Sequence, residues 1–251
     1  DDFSSNEEME IPEVLPMMAV RDVVVFNYMI IPLFVGRPGS VEAVNEALGT
    51  NKLLMLVTQK DATKDNPKED DLYKVGMVCM VMRTLKLPDG RIRVLVQGVC
   101  RARIEAYTSK RPFFQAKIER MSDLPHDPAS VEKEALMRSV KRLLERASGL
   151  GKNLPSEVMV IANNLEEPGR LADLAASNLE LKVDEAQDVL ETMEPLERLR
   201  KDHEIHIYPG VGHAFANPTG QNYNAAAAND AWEKTTGFLA RHLSVEDSDD
   251  S

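Results

Sequence analysis

The sequence predicts an α+β fold in which a β-rich part is followed by a small helical part and a strand–loop–helix tail. Between residues 14 and 120, short apolar runs alternate with turn-forming residues, a pattern typical of buried strands. From about residue 128 the apolar side chains instead recur every three or four positions, as on one face of a helix. Because the strands come first and the helices second, this order favours α+β over a doubly wound α/β sheet.

Four apolar runs predict well-buried strands in the first part: Val14–Met17, Val23–Phe26, Leu53–Val57 and Val75–Val81. A fifth run, Met29–Phe34, is more apolar than a single buried strand requires. Pro32 lies inside this run, and proline is confined to edge strands because it cannot donate to a ladder. We therefore expect this run at a sheet edge.

The clearest local signal is a hairpin around Pro88-Asp89-Gly90. Apolar and polar residues alternate on both sides of this turn, in Val81–Leu87 and Arg91–Val96, and Gly90 can adopt positive φ at no steric cost. A polar loop is predicted over Lys60–Asp71.

One helix is predicted within the β-rich part and four after it. Ser40 is a candidate N-cap for Val41–Leu48, which Gly49 would end. The next helix has one predicted apolar face and ends at Gly149; the face comprises Val131, Ala135, Leu136, Val140, Leu143 and Leu144. Three shorter helices are predicted at Val158–Leu165, Arg170–Ser177 and Val183–Thr192.

Composition excludes several classes of protein. The net charge of −11 disfavours broad nucleic-acid binding, which needs clustered Lys and Arg. No apolar run approaches the roughly 20 residues of a membrane-spanning helix. The chain has two cysteines, Cys79 and Cys100, too few for a disulfide scaffold, and they suit a reducing, cytoplasmic location. We expect neither membrane association nor nucleic-acid binding.

The sequence also argues against catalytic and metal-binding functions. Both cysteines lie in strand-like apolar runs, which predicts inert core thiols. The dipeptide Gly151-Lys152 does not belong to a P-loop. Arg146 stands where that motif has its first glycine, and Asn153 stands where it has a serine or threonine hydroxyl. His203 and His206 are predicted to be a surface pair, because an odd spacing in a strand separates the faces. No cofactor, metal site or catalysis is predicted.

The motifs of the first 200 residues resemble, in order, the N-terminal domain of the Lon ATP-dependent protease. They are Met17–Phe26, Met29–Arg37, Asp71–Gly76, Leu85–Gly90, Val94–Gly98, Pro155–Val158 and Leu171–Asp173. The likeness covers about residues 11–201. Asn27 stands where the family usually has proline, and asparagine tolerates the same turn.

This resemblance implies a twisted, pseudo-barrel β subdomain and a helical subdomain that recognise unfolded or damaged proteins for a Lon-type ATP-dependent serine protease. The implied division is a disordered acidic N-terminus at 1–10, the β-rich subdomain at 11–122 and the helical subdomain at 123–201. The implied partners are protein substrates and the ATPase and protease domains of a full-length enzyme; weak self-association is also expected. A Lon-domain adaptor that acts alone is an alternative.

The composition changes after Lys201, which is followed by only two basic residues, Lys234 and Arg241, against eight acidic ones. In this part, the segment Tyr208–Phe215 resembles the C-terminal end of dienelactone hydrolases. We therefore interpret residues 202–251 as a C-terminal fragment of that kind with an acidic tail. The resemblance makes His213 the base of a catalytic triad. Because no Gly-x-Ser/Cys-x-Gly elbow precedes it, His213 is predicted to be an orphan, and α/β-hydrolase activity is the alternative function.

The candidate binding residues come from the Met29–Phe34 run. Exposed apolar surface that includes methionine suits the binding of varied partners. We therefore predict a substrate-binding site at Met29, Ile31, Leu33 and Phe34.

Overall fold

A computed structural model describes residues 10–88, 90–127, 130–149, 155–179 and 181–201, together with four separate positions, Ala226, Ala228, Asn229 and Trp232. The chain divides into two compact units, residues 1–203 and 204–251. The account below concerns the first unit, apart from those four positions. In the described part of the chain, no helix has the length and apolar character needed to cross a bilayer.

Six strands form one mixed sheet. They are β1 (Val14–Val20), β2 (Ile30–Val35), β3 (Leu53–Thr58), β4 (Val75–Lys86), β5 (Ile92–Ser109) and β6 (Phe114–Arg120). The strand order is β2-β5-β4-β3-β1-β6, and β6 also pairs with β5. This additional pairing closes five strands into a barrel and leaves β2 attached to β5 alone. The structure confirms the α+β prediction and the position of the Pro32 strand at a sheet edge.

The long strand β5 makes this arrangement possible. Its first part, Ile92–Gln97, pairs with β2, and its second part, Ala102–Ser109, pairs with β6. Along its other edge, residues 92–103 pair with β4 over the whole length of that strand. The predicted hairpin is confirmed, and Gly90 in its turn has φ of 84°.

The apolar strands are buried because the sheet is covered on both faces. All six residues of β3 are buried, and alternate side chains enter two separate cores. Leu54 and Leu56 pack with residues of the helices, whereas Leu53, Met55 and Val57 pack with β5 and β6. A run of apolar residues without alternation is the expected sequence of such a strand.

Six α-helices complete the described fold: α1 (Pro38–Gly49), α2 (Val131–Gly149), α3 (Ser156–Asn164), α4 (Pro168–Asn178), α5 (Val183–Glu191) and α6 (Pro195–Lys201). A short 3₁₀ turn at Glu69–Asp71 lies within the predicted polar loop. The five helices predicted between residues 41 and 192 are present, and α6 was not predicted.

Three local predictions are wrong. Val23–Phe26 is a buried connection and not a strand; the Thr58 hydroxyl donates to the Val23 carbonyl, 2.7 Å away. An apolar run alone does not distinguish a strand from a buried connection. Ser40 is not the N-cap of α1, because the helix begins two residues earlier at Pro38, whose fixed φ and missing N–H suit the first turn.

The third correction concerns the apolar face of α2. Val131 is 82% exposed, and Ala135 and Leu143 are exposed as well. The buried residues in the part of α2 whose side chains are described are Leu136, Met137, Val140 and Leu144. Leu136, Val140 and Leu144 of the predicted face are thus buried, whereas the stripe of Val131, Ala135 and Leu143 is exposed. Both stripes have the three-and-four spacing, so the spacing alone does not show which one faces the core.

The C-terminal predictions fall mostly outside the described residues. These include the 202–251 strand–loop–helix and the residues His203, His206 and His213. Trp232 is helical and 69% exposed.

Candidate functional site

The strand β2 presents two faces of different exposure. The side chains of Ile30, Pro32 and Phe34 are exposed, whereas Ile31 and Leu33 are partly buried against the core. This alternation follows from the strand geometry, in which successive side chains point to opposite faces. Phe34 is 66% exposed and Ile30 is 55% exposed.

The four predicted binding residues therefore differ in exposure. Phe34 lies on the exposed face, but Ile31 and Leu33 lie on the inner face, and Met29 is partly buried against the core. The prediction did not include Ile30, which shares the exposed face with Phe34, as the period of two along the strand implies.

The exposed apolar surface continues beyond the strand. Tyr28, which precedes β2 with φ of 64°, is 48% exposed. Val160 and Ile161 of α3 are 61% and 50% exposed. We call the exposed residues Tyr28, Ile30, Phe34, Val160 and Ile161 the edge surface. Helix α3 contributes to it because only Ala162 among its described side chains is fully buried.

Two clefts adjoin the edge surface. One, of about 330 Å³, lies between the start of β2 and helices α3 and α4; its lining includes Tyr28, Ile30, Ile161, Leu165 and Leu174. The other, of about 530 Å³, lies between β2 and the end of β1; its lining includes Met18, Ala19, Leu33, Phe34 and Val35. We call the second one the β1–β2 cleft.

Two arginines hold the exposed aromatic rings. The guanidinium of Arg93, opposite Phe34 in the β2–β5 register, lies 5.5 Å from the centre of the Phe34 ring. That of Arg170 lies 4.6 Å from the centre of the Tyr28 ring. Such cation–π contacts fix the rings while leaving one face of each accessible.

The β1–β2 cleft carries positive charge. Arg21 and Arg37 both line it, together with Asp22. Arg21 donates to Asp65 at 2.6 Å and Arg37 donates to Gln59 at 2.5 Å. Burial, and after it the neighbouring Arg21, lowers the pKa of Arg37. Arg21 is thus paired with a carboxylate, whereas the side-chain partner of Arg37 is a neutral amide.

A set of charges, buried except for Asp123, joins β5, α4, α6 and the segment after β6. Its members are Arg101, Asp123, Asp173 and Arg198, which we call the ionic cluster. Arg198 donates to both oxygens of Asp123, at 2.9 and 2.7 Å, and its Nε lies 3.2 Å from Asp173 Oδ1. Arg101 also donates to Asp123.

The ionic cluster is held in place by burial and by the backbone carbonyl of Thr192, which accepts hydrogen bonds from both arginines. Arg101, Asp173 and Arg198 have side chains no more than 2% exposed. Burial lowers the pKa of Arg101 to about 10 and raises the pKa of Asp173, although Arg198 opposes the latter shift. Asn27, just before the edge surface, donates to Asp173 at 3.2 Å. The position at which the sequence departs from proline therefore ties the edge surface to this cluster.

The described residues offer little for covalent or metal chemistry. Cys79 and Cys100 are buried core thiols, as predicted, and burial raises the pKa of each. Within the described ranges, no group of three His, Cys, Asp or Glu side chains could hold a metal ion. What the described surface offers is apolar contact area, two clefts and exposed strand edges.

Comparisons with known proteins agree with this geometry. The family model described as ATP-dependent protease La (LON) substrate-binding domain matches residues 14–205. A second model, the dienelactone hydrolase family, matches residues 180–243 and overlaps the end of the first.

Two relatives illustrate the match. Lon protease 2 of Bdellovibrio bacteriovorus is 48% identical over 197 residues, which cover 78% of this chain and 25% of that protein. Lon protease of Geobacter metallireducens is 50% identical over 199 residues, 79% of this chain and 24% of that protein. The chain thus spans about a quarter of the length of the curated relatives that it matches.

Solved structures show the same fold. The N-terminal domain of Mycobacterium avium complex Lon protease superposes with a TM-score of 0.58 at 23% identity, over 75% of this chain and 95% of that one. The Lon N-terminal domain protein from Xanthomonas campestris gives a TM-score of 0.54 at 14% identity, with the same coverage.

Proposed function

The chain belongs to the family of substrate-binding domains of the ATP-dependent protease La (Lon), and on this premise we propose that it captures unfolded or damaged protein segments for degradation. ATP hydrolysis and peptide-bond cleavage would then be carried out by other domains of a full-length Lon-type serine protease. The chain itself would act without catalysis.

The observation that carries this proposal is the edge surface. Large apolar side chains stand more than half exposed on an edge strand, with clefts on either side. Contiguous exposed apolar surface on a soluble domain marks an interaction site. Folded proteins have buried the apolar side chains that would fit it, whereas unfolded segments present them.

The division of labour within the chain is also a proposal. We assign substrate capture to the β-rich part, residues 11–122, and support of the capture surface to the helical part, residues 123–201. Residues 1–10 and 202–251 would lie outside the recognition domain. A cytoplasmic location is supported by the two free, buried thiols, which need no oxidising compartment.

Binding to a permanently unfolded protein tests the proposal. A fluorescently labelled, reduced and carboxymethylated protein should bind with a dissociation constant on the order of micromolar, since the contact area is modest. The same protein in its folded form should not bind. Anisotropy titration measures both.

Two variants then locate the site. Phe34→Ser and Ile30→Ser should each weaken binding by roughly fivefold to thirtyfold, because each removes about 1–2 kcal/mol of apolar burial. The matched control is Val131→Ser, which removes an exposed apolar side chain from the start of α2. Equal affinity of all three variants and the parent chain, with unchanged circular dichroism, would remove the edge surface from the site.

A further inference from the structure

The free edge of β2 presents an ordered set of backbone groups. Gly98 N–H donates to the Met29 carbonyl at 2.9 Å, and hydrogen-bonded pairs alternate along an antiparallel ladder. Residues 31, 33 and 35 therefore pair with β5, and residues 30, 32 and 34 direct their backbone groups away from it. Pro32 fits this assignment, because a residue without an N–H occupies a position that donates nothing to β5.

The outward backbone groups of β2 have no partner within the described part of the chain. Strand β2 is paired with β5 only, and neither Ile30 nor Phe34 bonds to a loop or side chain there. The N–H groups of these two residues and the carbonyls of residues 30, 32 and 34 are thus available along about 14 Å of extended chain, at ~3.4 Å per residue.

The opposite wall of the β1–β2 cleft is also a strand edge. Gln59 N–H donates to the Val20 carbonyl at 2.8 Å, so Val20 faces β3. Ala19, its neighbour, then directs its backbone groups to the other edge, where β6 pairs with β1 only as far as Met17. Ala19 lines the cleft. Beyond Met17, this edge of β1 therefore faces the cleft without a paired strand in the described part of the chain.

We propose that the β1–β2 cleft holds an extended segment of an unfolded chain as an added strand, hydrogen-bonded to the free edge of β2 and bearing an acidic side chain toward Arg37. This assignment rests on the proposed function and adds the mode of recognition. It differs from capture by apolar contact alone because the polypeptide backbone of the substrate supplies the pairing groups.

Three observations select this occupant. Only an extended backbone matches donors and acceptors that recur at every second residue of a strand. A helix or an interior strand of a folded sheet has already satisfied its own backbone groups, so neither can occupy the cleft in this way. Arg37 at the cleft wall, whose hydrogen-bond partner is the neutral side chain of Gln59, complements an acidic side chain, whereas Arg21 already pairs with Asp65.

Main-chain pairing explains tolerance of varied sequences. Backbone hydrogen bonds are the same for every non-proline residue, whereas side-chain pockets discriminate. The exposed ring of Phe34 would then pack against whichever apolar side chain lies beside it. Substrate segments rich in proline should be poor occupants, because proline cannot donate to an added strand.

Residue-resolved amide exchange on the whole chain tests the pairing directly. The probe is a ten-residue peptide of alternating valine and glutamate, with alternating valine and lysine as its charge control. Saturation with the glutamate peptide should slow exchange of the Ile30 and Phe34 amides at least tenfold and leave the Ile31 and Leu33 amides, already paired, unchanged. The lysine peptide should bind at least fivefold more weakly. Unprotected Ile30 and Phe34 amides in the saturated complex would overturn the proposal.

A pair of variants at one position separates backbone from side chain. Phe34→Ala keeps the N–H and Phe34→Pro removes it, while neither changes a group that pairs with β5. Phe34→Pro should bind the glutamate peptide roughly tenfold more weakly than Phe34→Ala, the effect of one lost hydrogen bond plus exclusion by the ring. If Phe34→Pro does not fold, as judged by circular dichroism, amide exchange on the parent chain still decides.

The outcomes distinguish the two proposals. Binding of the carboxymethylated protein without protection of the Ile30 and Phe34 amides would leave substrate capture standing and reject strand addition. Absence of binding by both the carboxymethylated protein and the peptide would reject both.

Discussion

The edge surface and the ionic cluster invert the usual distribution of side chains. At the edge surface, Phe34 and Ile30 stand in solvent, although residues of this kind are ordinarily buried. In the ionic cluster, Arg101, Asp173 and Arg198 are almost completely buried, although charged residues are ordinarily exposed. The two regions lie close in the fold, since Asn27 contacts the cluster and Tyr28 begins the surface.

The difference shows what each region requires. Buried charges need exact partners, so the ionic cluster fixes the relative position of β5, α4 and α6. Exposed apolar side chains accept many partners of similar size, because apolar attraction has no preferred direction. The described unit thus combines a geometrically determined interior with an adaptable surface.

Removing a charge from the ionic cluster should have the largest effect on stability. Arg198→Ala leaves Asp123 and Asp173 without their shared partner, and loss of one member of a buried ionic group costs about 3–5 kcal/mol. Urea unfolding followed by circular dichroism measures this loss.

Two controls sharpen the contrast. Arg200→Ala breaks an exposed pair with Glu132, worth about 0–1 kcal/mol. Phe34→Ser, on the edge surface, should change the free energy of unfolding by no more than about 0.5 kcal/mol. If Arg198→Ala were no worse than these, the ionic cluster would not be what positions the helices.

Adding a methyl group beside the ionic cluster should have an intermediate effect. A Cβ at Gly169 would overlap the Asp123 carboxylate and the Arg198 guanidinium, which are held by each other and cannot easily move. Gly169→Ala should therefore cost about 1–3 kcal/mol in the same unfolding measurement. Gly49→Ala is the matched control: its Cβ would meet nothing within 4 Å, so it should be neutral or slightly stabilising.

The smallest effect is expected where charges pair in solvent, in the loop of residues 60–71. Hydrogen bonds from Thr63 and Lys64 lower the pKa of Asp61 and Asp71, respectively. A lowered folded-state pKa gives stabilisation that is present above the unfolded value of 3.8 and is lost as pH falls through the folded value. Acid should loosen this loop below about pH 4 and hardly change global unfolding.

Two backbone amides report on the loosening. The Thr63 and Lys68 N–H groups donate to the carboxylates of Asp61 and Asp71, each at 2.9 Å, and their exchange should accelerate as the carboxylates protonate. In Asp71→Asn the acid transition at Lys68 should disappear while that at Thr63 remains. Loss of both transitions would mean that the loop responds as one unit.

The sequence predicted those parts of the fold that local patterns determine. The hairpin around Gly90, the buried strand β3 and most of the helices follow from periodicity and turn residues within a few positions of one another. Val23–Phe26 was misassigned because its apolar character reflects burial, and only the long-range pairing of other strands shows that it is no strand.

The candidate binding site was predicted only in part, because its burial also depends on long-range pairing. The sequence located the Met29–Phe34 run and its edge position, but not which face of β2 is exposed. The ionic cluster gave no local signal: Asn27 and Asp173 are 146 positions apart, and charged residues are by default assigned to the surface. Its members could be recognised only once the fold had brought them together.

The closure of the barrel has a consequence for the order of folding. Strand β1 pairs with β6 about a hundred residues later in the chain, Leu15 opposite Ala116. At a synthesis rate of about 5–20 residues per second, roughly 5–20 s pass on the ribosome before β1 can meet this partner. Until then this edge of the apolar β1 segment has no partner strand, as in an unfolded chain. The nascent domain therefore passes through the condition of the substrates that we propose it to recognise.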